Sequence, residues 1–375
     1  MLDIGFTEKD IRQIVTRSSH NLYNFKNLYQ YLSKSGINND DFINIVKTVP
    51  NILSTSIENI KNRIILIQQL GFNKIDSFNI IKAYPYVLEL NEEAINNKIT
   101  KFKDFGFADN DIINLISSNP TLLSIEENEI SQSFDYFKKL NYSNTEIINI
   151  FNKEPSLIIN DLDKIKERIN KFKVLGFTQE EIVKITSLLP NIFLDESNLL
   201  ATKFNYLFEF GFDEENIISI IKKIPIILKP NYLDSLENKL NKLLELGFSK
   251  ENIIDITNTD PYILLYSTDN LTNKVFGIKG LGYSIEDTIN MISDFPLLFG
   301  YDITNIEKKI KFYKSINLDN YILENSKILI YNLDYIKSRW NFLKDSNCKD
   351  KLDLFITDKD FYKQYNVRSL DLIKE

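Results

Sequence analysis

The sequence predicts an all-α helical-repeat solenoid of about ten 35-residue modules, and three observations carry that expectation. Eight of the nine prolines share one register: Pro50, Pro85, Pro120, Pro155, Pro190, Pro225, Pro261 and Pro296 stand 35 residues apart, with a single step of 36. Glycines keep a second register at Gly36, Gly71, Gly106, Gly176, Gly211, Gly247 and Gly282, with Gly5 ahead and Asn141 and Asn317 taking the place of glycine. Between the two registers, apolar residues recur at helical spacing. A fixed period of this length means stacked units that bury their apolar faces only against neighbours, so the two or three globular domains that length alone would suggest are not expected.

Each element follows from its residues. Three positions after the prolines comes an apolar column: Leu53, Leu88, Leu123, Ile158, Phe193, Leu228, Leu264 and Phe299. Ten, fourteen and seventeen positions on lie Ile60, Ile64 and Ile67, then Ile95, Ile99 and Phe102, and later Ile165, Ile169 and Phe172, one face of an amphipathic helix. That helix ends at Leu70-Gly71-Phe72 and its equivalents, where a left-handed residue is wanted and Asn is the best substitute for Gly. Two residues further stand Thr7, Asn38, Asn73, Ser143, Thr178, Asp213, Ser249, Ser284 and Asp319, with only Ala108 breaking the column. These are N-cap residues, and Asp10, Asp41, Asp76, Glu146, Glu181 and Asp287 follow three later as capping acids. The second helix then runs to the next proline, which stops it or opens a short turn.

At the ends the pattern slips. Ser326-Lys327-Ile328-Leu329 replaces the last proline segment, with Ile336 and Trp340 at the helical spacing, and Ser19-His20-Asn21-Leu22 occupies the first one. The expected organisation is a repeat array over residues 1–345 and a polar C-terminal cap over residues 346–375.

Composition narrows the chemistry. One cysteine, Cys348, excludes a disulfide framework and a four-thiolate zinc site, and one histidine, His20, excludes His-based metal clusters. His20 reads as an ordinary surface or capping residue and Cys348 as a bystander. Phosphate-cradling glycine loops are lacking, and the carboxylates are explained by capping. The reading is therefore of a non-enzyme without cofactor or metal. The acidic start Met1-Leu2-Asp3-Ile4-Gly5-Phe6-Thr7-Glu8 fits neither a secretory signal nor an Arg-rich transit peptide, and the apolar runs are far shorter than a membrane span. A soluble intracellular monomer, or a mature form already trimmed, is expected.

The pattern Pro155-Ser156-Leu157-Ile158, then Ile165-Lys166-Glu167-Arg168-Ile169, then Leu175-Gly176-Phe177-Thr178, then Ile182 to Leu189 and Pro190 resembles the mitochondrial transcription termination factor (mTERF) repeat, and it recurs from residue 5 to about 345. Tetratricopeptide repeats need small alanines where their helices cross, and this chain has only Ala83, Ala94, Ala108 and Ala201; pentatricopeptide repeats place Pro two or three residues after Gly, whereas Gly71 precedes Pro85 by fourteen. The resemblance implies a superhelix of helix–helix–short-helix units that binds nucleic acid along a basic concave path. It also implies a place in a mitochondrion or plastid, acting in transcription, its termination, or RNA and ribosome maturation; a chain complete as given would instead be cytoplasmic.

The formal charge of −7, from 45 Lys+Arg against 52 Asp+Glu, opposes that function only until it is split by repeat position. Thirteen residues after each proline slot stand Arg63, Lys98, Ser133, Arg168, Lys203, Lys274, Lys309 and Arg339, and Lys239 takes the slot in the module where Lys229-Pro230 adds a residue, eight bases in nine modules. A second column, eighteen residues on, holds Lys103, Lys138, Lys173, Lys279, Lys314 and Lys344. Stacking would align the first column into a basic ribbon for the phosphates of double-stranded DNA or RNA. A solvated face, with lysine stems covering the core and charges complementing helix dipoles, explains the same column. Residues 251–300, with seven acids against Lys274 and Lys279, favour the other functional class, a protein-binding scaffold.

Overall fold

Proline lacks an amide donor and clashes with a preceding helical turn, so each short helix stops just before it. The preceding residue takes φ between −126° and −142°, and the proline opens a 3-10 helix of four or five residues. The computed structural model describes residues 1–18, 22–195, 198–346 and 350–374. Among these are 21 α-helices, twelve 3-10 helices and no strand. Ser19, His20, Asn21 and Cys348 lie outside the described residues.

One module illustrates the rest. A 3-10 helix at Pro120–Leu123, here called the proline helix, leads into a long helix at Glu127–Lys139 and a short helix at Asn144–Lys153. Asn141, at φ 67°, turns the chain between the two helices. Its amide donates to the Lys138 carbonyl at 3.0 Å and that of Tyr142 to the Phe137 carbonyl at 3.2 Å, which satisfies the open end of the long helix. All ten turn positions, eight Gly with Asn141 and Asn317, have φ between 56° and 127°.

The caps form as expected with one exception. Thr7, Ser143, Thr178 and Ser284 make reciprocal boxes with Asp10, Glu146, Glu181 and Asp287. Asn38, Asn73, Asp213 and Ser249 each accept from the amide three residues on. At Ala108 half the box survives, because the Asp111 carboxylate still accepts the Ala108 amide at 3.0 Å. Asp319 is not an N-cap: Leu318 holds that place, without a side-chain cap, before the helix Asp319–Glu324. In this module only nine residues separate the turn at Asn317 from Ser326, against fourteen between Gly282 and Pro296, so the short helix is cut to six residues.

The apolar columns make the core. The eight side chains three residues after the prolines are at most 2% exposed. Phe137 shows how modules lock together, with ring contacts to Tyr142 and Phe151 in its own module and Phe193 two proline segments on, all at 5.2–5.5 Å. Edge-to-face pairs of this kind add about 0.5–1.5 kcal/mol each beyond area burial. The chain forms two compact units, Met1–Ser197 and Asn198–Glu375, and within each unit successive modules pack through like helices. The segment expected to be a polar cap contains a 3-10 helix at Lys351–Phe355 and a helix at Asp358–Tyr365, with Leu354 and Phe361 fully buried. A further left-handed residue, Asn366 at φ 54°, ends that helix.

Candidate nucleic-acid interface

The first column of bases was the expected contact row, and each long helix presents the two columns on different faces. Positions ten, fourteen and seventeen after the proline point into the core. Position thirteen lies between them on the helical wheel, three residues from the first and four from the last. It therefore faces the next module's proline helix, whose last carbonyls have no partner within that helix.

The structure puts seven of the nine first-column side chains into that contact, Lys98 and Arg168 being the exceptions. Lys98, Lys203, Lys239, Lys274, Lys309 and Arg339 are buried, with Lys203 at 0% exposure, and Arg63 and Arg168 are half-buried. Lys203 Nζ donates to the Ile227 carbonyl at 2.6 Å and also to that of Lys229. Lys239 Nζ donates to the Leu264 carbonyl at 2.6 Å, and Lys309 Nζ to that of Leu329 at 2.6 Å. Arg63 donates to the Leu88 carbonyl and Lys274 to that of Tyr301. Arg339 closes the series, reaching the carbonyls of Leu354 and Ile356, Ser369 Oγ, and Asp358 at 2.8 Å. Ser133, apparently a gap in a basic ribbon, makes the same bond, its Oγ donating to the Ile158 carbonyl at 2.7 Å. Arg168 pairs with Glu167 at 3.5 Å.

These side chains thus lie beneath the surface, not along it as a solvent-facing ribbon would. The shared requirement is a hydrogen-bond donor, which Ser meets as well as Lys or Arg. Burial depresses the amines: Lys203 falls to about 8, with Asp234 opposing the shift, and Lys239, Lys274 and Lys309 are lowered for the same reason. Aromatic rings supply some compensation, with Lys239 Nζ 4.6 Å from the Tyr232 ring centre and Lys309 Nζ 5.3 Å from that of Tyr301.

The second column is more open. Lys103, Lys138, Lys173, Lys279 and Lys344 are exposed, and Lys314 is half-buried, donating to the Leu281 carbonyl at 2.9 Å. Three successive long helices of the first unit end on pairs of bases: Lys101 and Lys103, Lys138 and Lys139, Lys171 and Lys173. Lys103 meets Asp109 at 2.8 Å, and Lys138 donates to Asn144 Oδ1 at 2.6 Å. Both partners are at the surface, where such contacts are weak and exchange readily with an incoming phosphate.

The capping acids are also occupied. Asp10 is held down at about 2, chiefly by a hydrogen bond from Lys47, 2.7 Å away and three residues before the next proline. Asp41 meets Lys82 at 4.0 Å and Asp111 accepts from Asn152 at 2.7 Å in the equivalent places. The acids at helix starts therefore tie neighbouring short helices together as well as capping their own. Among the described residues no group of three His, Cys, Asp or Glu side chains could hold a metal ion.

Sequence reasoning found both columns but not the carbonyl contact of the first. Two signals pointed to it: Ser133 in place of a base, and the position of the column inside the apolar stripe. In a comparison with family models, the one described as mTERF matches residues 1–102, 89–209 and 194–361. No curated protein matches the chain.

Proposed function

The chain belongs to the mTERF family, and from that premise we propose that it is a non-catalytic nucleic-acid-binding repeat protein. Its work would lie in transcription, transcription termination, or RNA and ribosome maturation, and its place in an organelle. Among the described residues no helix is long and apolar enough to cross a membrane.

The observation that carries the reading is the row of lysine pairs ending the long helices Glu92–Asp104, Glu127–Lys139 and Leu162–Val174, in which Lys103, Lys138, Lys139 and Lys173 are exposed and Lys101 and Lys171 half-buried. Equivalent ends of stacked helices present charge at a regular interval, as a phosphate backbone does. The buried column from Arg63 to Arg339 serves binding indirectly, by fixing the angle at which one module meets the next.

Fluorescence anisotropy with labelled RNA and DNA, in duplex and single-stranded form, tests this across a salt series. Binding should fall with salt at a log–log slope of about 0.7–0.9 per phosphate contact. Changing Lys103, Lys138 and Lys173 together to Glu should weaken it at least tenfold and flatten the slope. Absence of binding at low salt, or indifference to the triple change, would refute the reading.

A second reading, a protein-binding scaffold, has its own observation. Ile226, Tyr262 and Leu297 each follow a proline by one residue and are 40%, 52% and 44% exposed on successive proline helices. A stoichiometric protein partner that survives nuclease treatment, and is lost on changing these three to Ser, would favour it.

A further inference from the structure

Within the unit Asn198–Glu375, two grooves repeat one module apart. The first, about 390 Å³, lies between the long helix Thr268–Lys279 and the start of the next, Ile303–Ser315. The second, about 620 Å³, lies between Ile303–Ser315 and Leu333–Asp345. Both volumes fall in the range that holds small organic groups. Tyr266 and Tyr301 are each five residues after a proline, and Tyr301 lines both grooves as their shared wall.

Tyr301 is held from several sides. Its carbonyl accepts from Lys274, the Lys309 ammonium stands 5.3 Å from its ring centre, and Phe295 packs at 6.0 Å. The ring is nonetheless half-exposed. Around it the lining is polar, with Asn305, Asn332, Lys308, Lys337 and the carboxylate of Asp334 exposed in the larger groove and Asp302 exposed in the smaller.

We infer that these two grooves take successive unpaired bases of a single-stranded nucleic acid, with Tyr301 stacking against them and Lys308 and Lys337 meeting the adjoining phosphates. This rests on the nucleic-acid reading above and names the form of ligand for the second unit. A ring set between helices is reached by a base only when that base is free of its complement. The Asn305 amide carries both donor and acceptor and suits the exposed edge of such a base, while Asn332, whose Oδ1 caps the next helix, offers its NH2 as a donor. Charge points the same way. Residues 251–300 hold seven acids against two lysines, of which Lys274 is buried, so this stretch offers little to the charge density of a duplex.

The test uses the full chain and fluorescein-labelled 12-nucleotide RNA and DNA, single-stranded and duplex, with melting curves for every variant. The single strand should bind more tightly than the duplex. Tyr301→Leu should weaken single-strand binding about 5- to 150-fold, the worth of one stacked base, and Tyr301→Phe should leave it unchanged. If Tyr301→Leu lowers the melting temperature, the surface double change Lys308→Gln and Lys337→Gln decides, with an expected loss of threefold or more. If nucleic acid binds and the Lys103, Lys138, Lys173 change weakens it, but the groove variants bind like the wild type, the inference is overturned and the wider reading stands. Preference for duplex overturns it as well. No binding of any nucleic acid overturns both.

Discussion

Reversing the charge of Lys203 discriminates between a surface base and a buried clamp. Its side chain is 0% exposed and donates to the carbonyls of Ile227, at 2.6 Å, and Lys229. In Lys203→Glu the carboxylate inherits a desolvation penalty similar to that of the ammonium, so that part changes little. What changes is that two buried carbonyls lose their donor, at about 1–3 kcal/mol each, and face an anion. The expected loss is about 4 kcal/mol, a large part of the roughly 5–15 kcal/mol that holds a domain folded. For a unit the size of Asn198–Glu375, that lowers the melting temperature by about 8–16 °C. Lys203→Met loses the same bonds but also sheds the buried charge, and should cost about 1 kcal/mol or less. Lys173→Glu, on an exposed position, should stay within about 0.5 kcal/mol. Circular dichroism melts of the three variants read this directly. A Lys203→Glu protein melting within 2 °C of the wild type would show that the side chain is not clamped.

The remaining predictions concern pH, turns and caps. Because the folded value of Lys203, about 8, lies below the unfolded 10.5, the unfolded chain holds the extra proton between those values and stability rises with pH across that window. Tyr232 and Tyr283, raised by burial to about 12 from 10, reverse the slope above pH 10, so urea midpoints should peak near there and Lys203→Met should flatten the rise. Gly36 has φ 94° with open space where a Cβ would stand, so Gly36→Ala should cost about 1–2 kcal/mol from backbone strain alone, and Gly36→Asn less, by denaturant titration. Ala108→Ser should complete a box whose acid, Asp111, is already in place, adding about 0.5–1 kcal/mol, while Ser143→Ala removes about 1 kcal/mol.

Local features were legible because local rules govern them. A proline cannot continue a helix, a left-handed turn selects Gly or Asn, and a cap selects Ser, Thr, Asn or Asp; each of these depends on a few neighbouring residues. The ten turns and the proline helices follow directly from that. Asp319 failed because the rule assumes a full-length second helix, and in the shortened module the helix starts at Asp319 itself, leaving the cap place to Leu318. The 3-10 helix Lys351–Phe355 and the helix after it were missed because Leu354 and Phe361 sit in a stretch whose polar neighbours hide the spacing.

The first basic column was legible as a column and misjudged as a surface, and the reason is a general one for repeat proteins. A period aligns every residue it contains, so regularity alone does not distinguish a ligand-facing row from an interface between modules. Exposure does, and a helical wheel estimates it: position thirteen shares the core face with ten, fourteen and seventeen, while position eighteen is reached only past the end of that stripe. The substitution pattern supplies the second criterion. A row that contacts phosphate gains from charge at each place, though neutral donors also serve there, whereas a row that satisfies a carbonyl gains nothing from charge and needs only a donor. Ser133 donating to Ile158 exactly where Lys239 donates to Leu264 is what a carbonyl contact permits. Net charge then loses its force as an argument in either direction. Most bases of the first column are withdrawn from the surface, six capping acids are engaged at helix starts, and the lysines that end the long helices are the ones left exposed.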